Sequence, residues 1–264
     1  MTMQATRSPW LITAHVWHAL FMREAMARVT ADRVAWLWLL AEPIAHVLLM
    51  VWVRQLIGRV RIIPGAEFIP WLIVGITSFI LFRNLMNRGM DAINANRALF
   101  AYRQVHPTDT VLVRGALEGT LSTIILLLLV SSFSLLEYDM IPRDPLGVIG
   151  IWGLIWLLGL GVGLCCSVIV TSVPESSKFI RMASFPLYFL SGVMIPVQYF
   201  PHELREYLLY NPMLHAVELI RVSFFEGYRM MDGISVVYLL QWVTGTLFLG
   251  LLLQVRFKAR LIAQ

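Results

Sequence analysis

The sequence predicts an all-α, polytopic membrane protein with six transmembrane helices, and three observations predict it. The 264 residues have a mean hydropathy of +0.73, and 58% of them are hydrophobic. Only 14% are charged, whereas a soluble domain carries about 25%. Several apolar runs approach the roughly 20 residues that a helix needs to cross a bilayer core about 30 Å thick. We therefore treat residues 1–264 as a single transmembrane domain.

The first element predicted is an N-terminal interfacial helix at residues 8–30. An apolar stripe at helical spacing predicts it: Trp10, Ala14, Trp17, Phe21 and Ala25. Aromatic side chains on one face, with basic residues nearby, are typical of a helix that lies in the membrane interface. A plain helix packed on the bundle is the alternative.

Six apolar runs follow and predict the transmembrane helices: residues 34–56, 68–88, 113–136, 146–172, 178–197 and 234–256. The second and fifth runs are the shortest. Glu42 lies inside the first run, and a carboxylate within a membrane is a candidate functional group. Glu42-Pro43 could equally mark a kink whose carboxylate pairs with an arginine such as Arg83. Gly159 and Gly163 in the fourth run predict close helix packing.

The distribution of basic residues predicts the orientation, because loops on the cytoplasmic side are enriched in lysine and arginine. With the N-terminus inside, cytoplasmic segments hold 14 of the 21 basic residues: Arg7, Arg23, Arg28, Arg33, Arg83, Arg88, Arg97, Arg103, Arg114, Lys178, Arg181, Arg256, Lys258 and Arg260. We expect a multi-pass membrane protein with both termini in the cytoplasm.

The connection between the second and third spans contains a short basic helix predicted at residues 91–103. Its candidate contact residues are Asp91, Asn94, Asn96, Arg97, Leu99, Phe100, Tyr102 and Arg103. Aromatic side chains on a compact basic helix suit docking into a groove on a partner. A solvated basic loop is an equally good explanation of these residues alone.

Residues 198–227 are too polar to span a membrane and too apolar for a free loop. Pro201 can begin one short helix, Asn211-Pro212 separates it from a second, and Gly227 is a plausible end. We expect two short re-entrant helices shielded by protein, with a surface hairpin as the alternative.

The sequence contains no catalytic or metal-binding motif. The two lysines, Lys178 and Lys258, lack the glycines of a phosphate-binding loop. We therefore expect no cofactor in this chain, and its positive charge follows membrane topology rather than nucleic-acid binding. A membrane-embedded enzyme acting on lipid-linked sugars would need convergent acidic or histidine groups, and Glu42, His46 and Glu118 are sparse.

Three segments carry a family resemblance: NANRALFAYRQVHPTD at Asn94–Asp109, SGVMIP at Ser191–Pro196 and YNPMLHAVELIR at Tyr210–Arg221. With the six spans, they resemble the membrane subunit of ABC type-2 transporters. They are most similar to the capsular-polysaccharide export permeases of Gram-negative bacteria. The similarity extends over nearly the whole chain in the same order.

This resemblance implies a homodimer paired with a separate ABC ATPase that binds ATP and Mg. It implies that residues 91–103 are the coupling helix seated on that ATPase, and that residues 198–227 match an outer-leaflet re-entrant pair. The cargo would be a lipid-linked, often acidic polysaccharide handed to periplasmic and outer-membrane export proteins. Export of O-antigen, teichoic acid or a drug remains open, as does a structural scaffold.

A glycan path needs flat apolar surfaces for sugar rings, and aromatic side chains supply them. The candidates are Trp36, Trp38, Phe79, Phe82, Phe185, Tyr188 and Tyr199. Aromatic enrichment at membrane interfaces explains them as well. Arg54, Arg59 and Arg61 lie on the predicted outer side, where they could attract an anionic polymer or pair with Glu67 or anionic lipid.

Overall fold

The computed structural model of the chain describes residues 9–30, 35–57 and 63–263, and every regular element within these ranges is a helix. The α-helices are α1 (Pro9–Thr30), α2 (Ala35–Ile57), α3 (Phe68–Met90), α4 (Ala92–Ala95), α5 (Pro107–Leu135), α6 (Pro145–Ser172), α7 (Ser176–Leu190), α8 (His202–Leu208), α9 (Pro212–Phe224), α10 (Val236–Arg256) and α11 (Lys258–Ala263). Two 3-10 helices cover Arg97–Ala101 and Val197–Tyr199. The predicted all-α class is confirmed.

Four of these helices, α3, α5, α6 and α10, are long and apolar enough to cross a membrane. The apolar part of α2 that the structure describes, Ala41–Val53, is shorter. α7 has 15 residues and rises about 22 Å, less than the roughly 30 Å of a hydrocarbon core. A multi-span helical protein is thus established, while the count of six spans stays a prediction.

Proline fixes where three of the helices begin. Pro107, Pro145 and Pro212 each occupy the first turn of their helix, where a missing N–H costs nothing. Asp144 caps α6 by accepting from Gly147 N at 3.0 Å, and Asn211 caps α9 by accepting from Met213 N at 3.0 Å. The third predicted span therefore starts at Pro107, six residues before the expected residue 113.

α3 is the centre of the bundle, and every residue from Pro70 to Phe82 in it is buried. It packs against α6 and α5, and α6 packs in turn against α10. Glycines allow the closest approach of α3 and α6, since a Cβ on Gly89 would lie 2.9 Å from the Cα of Gly163. The close packing predicted at Gly159 and Gly163 is confirmed.

The fifth predicted span, residues 178–197, is helical only as far as Leu190. Gly192 has a φ of +67°, a left-handed conformation that ends a helix. Residues 191–196 are therefore irregular, and the expected full-length span is corrected to a short helix followed by a turn.

Residues 198–227 contain the two short helices expected, α8 and α9, and the chain turns at Gly227 with a φ of +78°. Gly65, also at φ +78°, lies against this turn, and a Cβ there would meet the Gly227 carbonyl carbon at 2.3 Å. The contact between the two glycines thus packs the segment before α3 against the segment after α9. The depth of α8 and α9 in a membrane stays a prediction.

Candidate functional site

The connection between α3 and α5 forms two short helical turns rather than one helix over residues 91–103. α4 and the 3-10 helix at Arg97–Ala101 are separated by Asn96. The Asn96 side chain donates to the carbonyl oxygen of Ala92 at 2.8 Å, which competes with continuation of the helix. We call residues 91–106 the connector segment.

The connector segment is fixed to the bundle by two of its predicted contact residues. Phe100 is buried in an apolar cluster, and α4 contributes its neighbours Ala92 and Ile93. The cluster is completed by residues of other helices, Val111, Leu164, Val168 and Leu261. Asn96 is also buried and contacts α1. These two side chains therefore hold the segment to its own chain, and the coupling role of the eight residues stays a prediction.

The outward face of the connector segment is basic and aromatic. Arg97, Tyr102 and Arg103 are exposed, with Tyr102 at 67%, and Leu99 is half-buried. Asn94 accepts from Arg97 at 3.0 Å. Asp91 pairs with Arg181 of α7 at 2.5 Å. These side chains are therefore accessible from outside the chain.

A charged cluster ties α1 to the connector segment and to α5, and we call Arg23, Glu24, Asn96 and Arg114 the α1 network. Glu24 accepts from Arg114 Nη2 at 3.2 Å and from Asn96 at 3.3 Å, and Arg114 Nε lies 3.1 Å from it as an ion pair. Arg23 pairs with Glu24 at 3.1 Å and also donates to the Asn96 side-chain oxygen. The connector segment is therefore joined to both α1 and α5 by these side chains.

Electrostatics in the α1 network favour the ionised carboxylate. Burial opposes ionisation of Glu24, but the charge and hydrogen bonds of Arg114, the Asn96 hydrogen bond and the charge of Arg23 outweigh it. The pKa of Glu24 is consequently lowered from its ordinary value.

Nearby, Trp17 donates to Asp109 at 2.9 Å, and His106 N donates to the same carboxylate at 2.9 Å.

A second ion cluster joins α1, α3 and α5, and we call Arg28, Arg88 and Glu118 the Glu118 triad. Arg28 Nη2 lies 2.5 Å from Glu118 Oε1, and Arg88 Nε lies 3.5 Å from the same oxygen. The Glu118 side chain is buried, while that of Arg88 is 47% exposed. The sequence placed Glu118 at the entrance of a span without identifying these partners.

A third network is buried at the end of α9 and joins this helix to α3 and to the chain after the Gly227 turn. We call Trp71, Glu218, Arg221 and Tyr228 the α9 network. Arg221 is fully buried and stacks on the Trp71 ring, 3.5 Å from its centroid. Its guanidinium donates to Glu218 at 3.2 Å and to the carbonyl oxygens of Gly192 and Val193 at 2.8 and 3.1 Å. The irregular backbone after α7 is thus held by an arginine of α9.

Tyr228 completes the α9 network from beyond the Gly227 turn. Its hydroxyl lies 3.0 and 3.1 Å from the two Glu218 oxygens and accepts from Trp71 Nε1 at 3.2 Å. Burial raises the pKa of Tyr228 to about 12, against the opposing charge of Arg221 and together with the charge of Glu218. The phenol therefore stays a donor to Glu218 at physiological pH.

Sequence reasoning singled out two of these segments by resemblance but missed their contact. SGVMIP supplies the carbonyl oxygens that Arg221 of YNPMLHAVELIR binds, and Asn211 donates to Ser191 at 3.0 Å. The available signal was Glu218 and Arg221 at i and i+3 in an apolar helix. Such a pair is costly unless each charge is satisfied.

The aromatic path candidates fall into two groups. Phe79, Phe82 and Tyr188 are buried within the chain, and Phe79 lies 5.0 Å from Tyr188 and 6.2 Å from Phe82 between ring centroids. Phe185, at 69%, and Tyr199 are exposed. The structure therefore brings three candidates together in the core and leaves two on the surface.

Five further path candidates cannot be placed by their side chains. Trp36, Trp38 and Arg54 lie in α2, and their side chains fall outside the described part of the chain. Arg59 and Arg61 lie outside the described residues altogether. Their roles stay predictions.

Glu42 is paired with Arg83, the partner named as an example from the sequence, and Pro43 lies inside α2. The pair links α2 to α3. Beside it, Asn84, Thr77 and Ser122 line a small cavity between α2, α3 and α5. The pairing alternative for Glu42 is therefore confirmed.

Comparison with known proteins gives consistent matches along the chain. The model of the ABC-2 type transporter family matches residues 15–225. The polysialic acid transport protein KpsM of Escherichia coli is 36% identical over 236 residues, which cover 89% of this chain and 90% of that protein. The capsule polysaccharide export inner-membrane protein CtrC of Neisseria meningitidis is 28% identical over 94% of this chain and 93% of its own length. The corresponding protein BexB of Haemophilus influenzae is 26% identical over 94% and 92%.

Proposed function

This chain belongs to the ABC-2 type transporter family, and we propose that it is the inner-membrane permease subunit of an ATP-driven exporter of capsular polysaccharide. The observation that carries the proposal is similarity over nine-tenths of the chain to proteins named for capsule or polysialic acid export. ATP hydrolysis and transport are then carried out by different proteins. A separate ABC ATPase binds ATP and Mg, and this chain forms the path without covalent chemistry.

The ATPase docks on the outward face of the connector segment, at Arg97, Tyr102 and Arg103. The exposure of these side chains supports this location, because exposed aromatic and arginine side chains are enriched in protein interfaces. Inward, the buried Phe100 and the Glu24 contact of Asn96 give the segment a mechanical connection to the bundle. Movement of the ATPase is thereby passed to α1, α5 and α6.

The permease works as a homodimer with both termini in the cytoplasm, and α8 and α9 form a re-entrant pair at the outer leaflet. Its cargo is a lipid-linked, acidic polysaccharide, which leaves toward periplasmic and outer-membrane export proteins. Arg54, Arg59 and Arg61 favour anionic sugars at the exit. The distribution of basic residues along the sequence supports the placement of both termini in the cytoplasm.

Export is tested by deleting the gene in its own bacterium and measuring polysaccharide inside and outside the cell. The proposal predicts that polysaccharide disappears from the surface, accumulates in the cytoplasm, and returns to the surface with the wild-type gene. Normal surface polysaccharide in the deletion strain would contradict it. Loss of a different surface glycan instead would indicate another cargo of the same type of exporter.

The docking site is tested with Tyr102→Asp in the permease co-purified with its ATPase. We expect assembly and ATP turnover to fall by about tenfold, because a charge replaces an exposed aromatic contact. The matched control is Tyr207→Asp, an equally exposed tyrosine in α8. Equal ATPase assembly in both variants would place the docking site elsewhere. Phe100→Asp is a poorer choice, since it buries a charge in the apolar cluster of this chain.

A further inference from the structure

The Glu118 triad has more positive charge than its one carboxylate can neutralise. Arg28 and Arg88 approach the same oxygen of Glu118, at 2.5 and 3.5 Å. The shorter contact satisfies Arg28, whereas the 3.5 Å contact of Arg88 is an ion pair longer than an ordinary hydrogen bond. One positive charge is therefore left over in the triad.

Within the described part of the chain, the charges around Arg88 do not remove this excess. There, the other groups that act on it are Arg114, which is positive, and Asp91, which is negative. Arg114 is engaged by Glu24, and Asp91 is engaged by Arg181 at 2.5 Å. Each of these neighbours has its own partner, so the net charge of the triad stays positive.

The Arg88 guanidinium also has free donors. In the residues that the structure describes, the ion-pair contact of Arg88 with Glu118 is made by Nε, and Nη1 and Nη2 donate no hydrogen bond. The side chain is 47% exposed, so another molecule can reach it. Two parallel N–H donors on a planar fork match two oxygens of a phosphate group.

The position of Arg88 in the fold indicates that the phosphate group that binds to it belongs to a lipid headgroup. Arg88 lies in the last turn of α3, one of the helices long enough to span a membrane, and Arg28 lies near the end of α1. The ends of spanning helices lie at the level of lipid headgroups. Basic pockets between helices at this level bind the headgroups of anionic lipids.

We propose that Arg88 and Arg28, held by Glu118, form a binding site for the phosphodiester of an anionic membrane lipid. The Arg28–Glu118 ion pair fixes the position of the site. The Arg88 guanidinium then donates hydrogen bonds to two phosphate oxygens. The lipid joins the ends of α1 and α3 beside the connector segment.

The test is native mass spectrometry of the purified full chain with added phosphatidylglycerol or phosphatidylcholine. Arg88→Gln is the variant of choice, because it keeps the Arg28–Glu118 pair and so the local fold. We expect wild type to prefer phosphatidylglycerol and Arg88→Gln to bind it about fivefold more weakly. Arg256→Gln, which removes an exposed arginine at the end of α10, is the control and should behave as wild type.

Equal weakening in Arg88→Gln and Arg256→Gln would overturn the proposal, because general surface charge would then explain the binding. A separate arm adds inorganic phosphate at millimolar concentration to lipid-free protein. Binding of phosphate that depends on Arg88, with no preference for phosphatidylglycerol, would assign the site to free phosphate and overturn the lipid assignment. Preserved melting temperatures in both variants confirm that folding is not the cause.

Discussion

The α9 network and the α1 network use the same pair of side chains, a glutamate and an arginine, in different surroundings. Glu218 and Arg221 are 2% and 0% exposed, and two backbone carbonyls and a tyrosine make further hydrogen bonds with them. The Glu24 and Arg114 side chains are each 15% exposed, and their neighbour Arg23 is 44% exposed. The Glu218–Arg221 pair is thus fully buried, whereas the Glu24–Arg114 pair is partly exposed to solvent.

The difference in burial teaches what each network can do. A buried ion pair is costly to break, because removing one partner leaves an uncompensated charge in a medium of low dielectric constant. The α9 network therefore holds α3, α9 and the turn after α7 in one arrangement. A partly exposed pair exchanges partners with water at low cost. The α1 network is therefore the easier of the two to rearrange, as the proposed coupling through the connector segment requires.

The largest expected effect is that of Glu218→Ala, which leaves Arg221 buried without its carboxylate. We expect the free energy of unfolding to fall by about 3–5 kcal/mol, measured by equilibrium unfolding in mixed detergent micelles. The control is Glu226→Ala, whose exposed pair with Arg143 at 3.4 Å contributes at most about 1 kcal/mol. Similar losses in both variants would show that burial does not separate the networks.

A smaller effect is expected for Gly75→Ala, which tests the space around Arg221. A Cβ at Gly75 would lie 2.3 Å from Arg221 Nη2, and the guanidinium is held by its carbonyl contacts and cannot move freely. We expect a loss of about 1–3 kcal/mol by overpacking, measured in the same unfolding assay. Gly153→Ala is the control, because a Cβ there meets nothing within 4 Å; its stability should be unchanged or slightly raised. A stable Gly75→Ala protein would mean that the network is adaptable.

The smallest effect is expected for Glu24→Gln in the α1 network, about 1–2 kcal/mol at pH 7. The pKa of Glu24 is lowered in the folded protein. Its ionised form therefore stabilises the fold above the ordinary carboxyl pKa of about 4.3, and this stabilisation disappears as pH falls through the lower, folded-state pKa. Amide hydrogen exchange in α1 should be faster in Glu24→Gln than in wild type at pH 7. An equal difference at low pH would show that charge is not the cause.

Much of the fold follows from local patterns in the sequence. The apolar runs predicted α3, α5, α6 and α10, and prolines at residues 201 and 212 predicted the two short helices α8 and α9. The helix at residues 91–103 was wrong in form, since Asn96 bonds back to Ala92 and divides it. The fifth span was too long, because Gly192 turns the chain.

The candidate site was less predictable. Tyr102 and Arg103 were expected to face a partner and are exposed. Phe100 was expected beside them and is buried instead. Which side of a short helical turn faces inward depends on the apolar surface that covers Phe100, and most of it comes from α6 and α11, which are distant in the sequence.

The sequence by itself determined that this protein is a helical membrane permease, because hydropathy, proline positions and family-specific segments are properties of consecutive residues. Only the tertiary structure decided how its charges are paired. Arg221 meets Gly192, Arg28 meets Glu118, and Asn96 meets Glu24 across long stretches of chain. Such partners depend on which helix faces pack together, and hydropathy does not encode that choice.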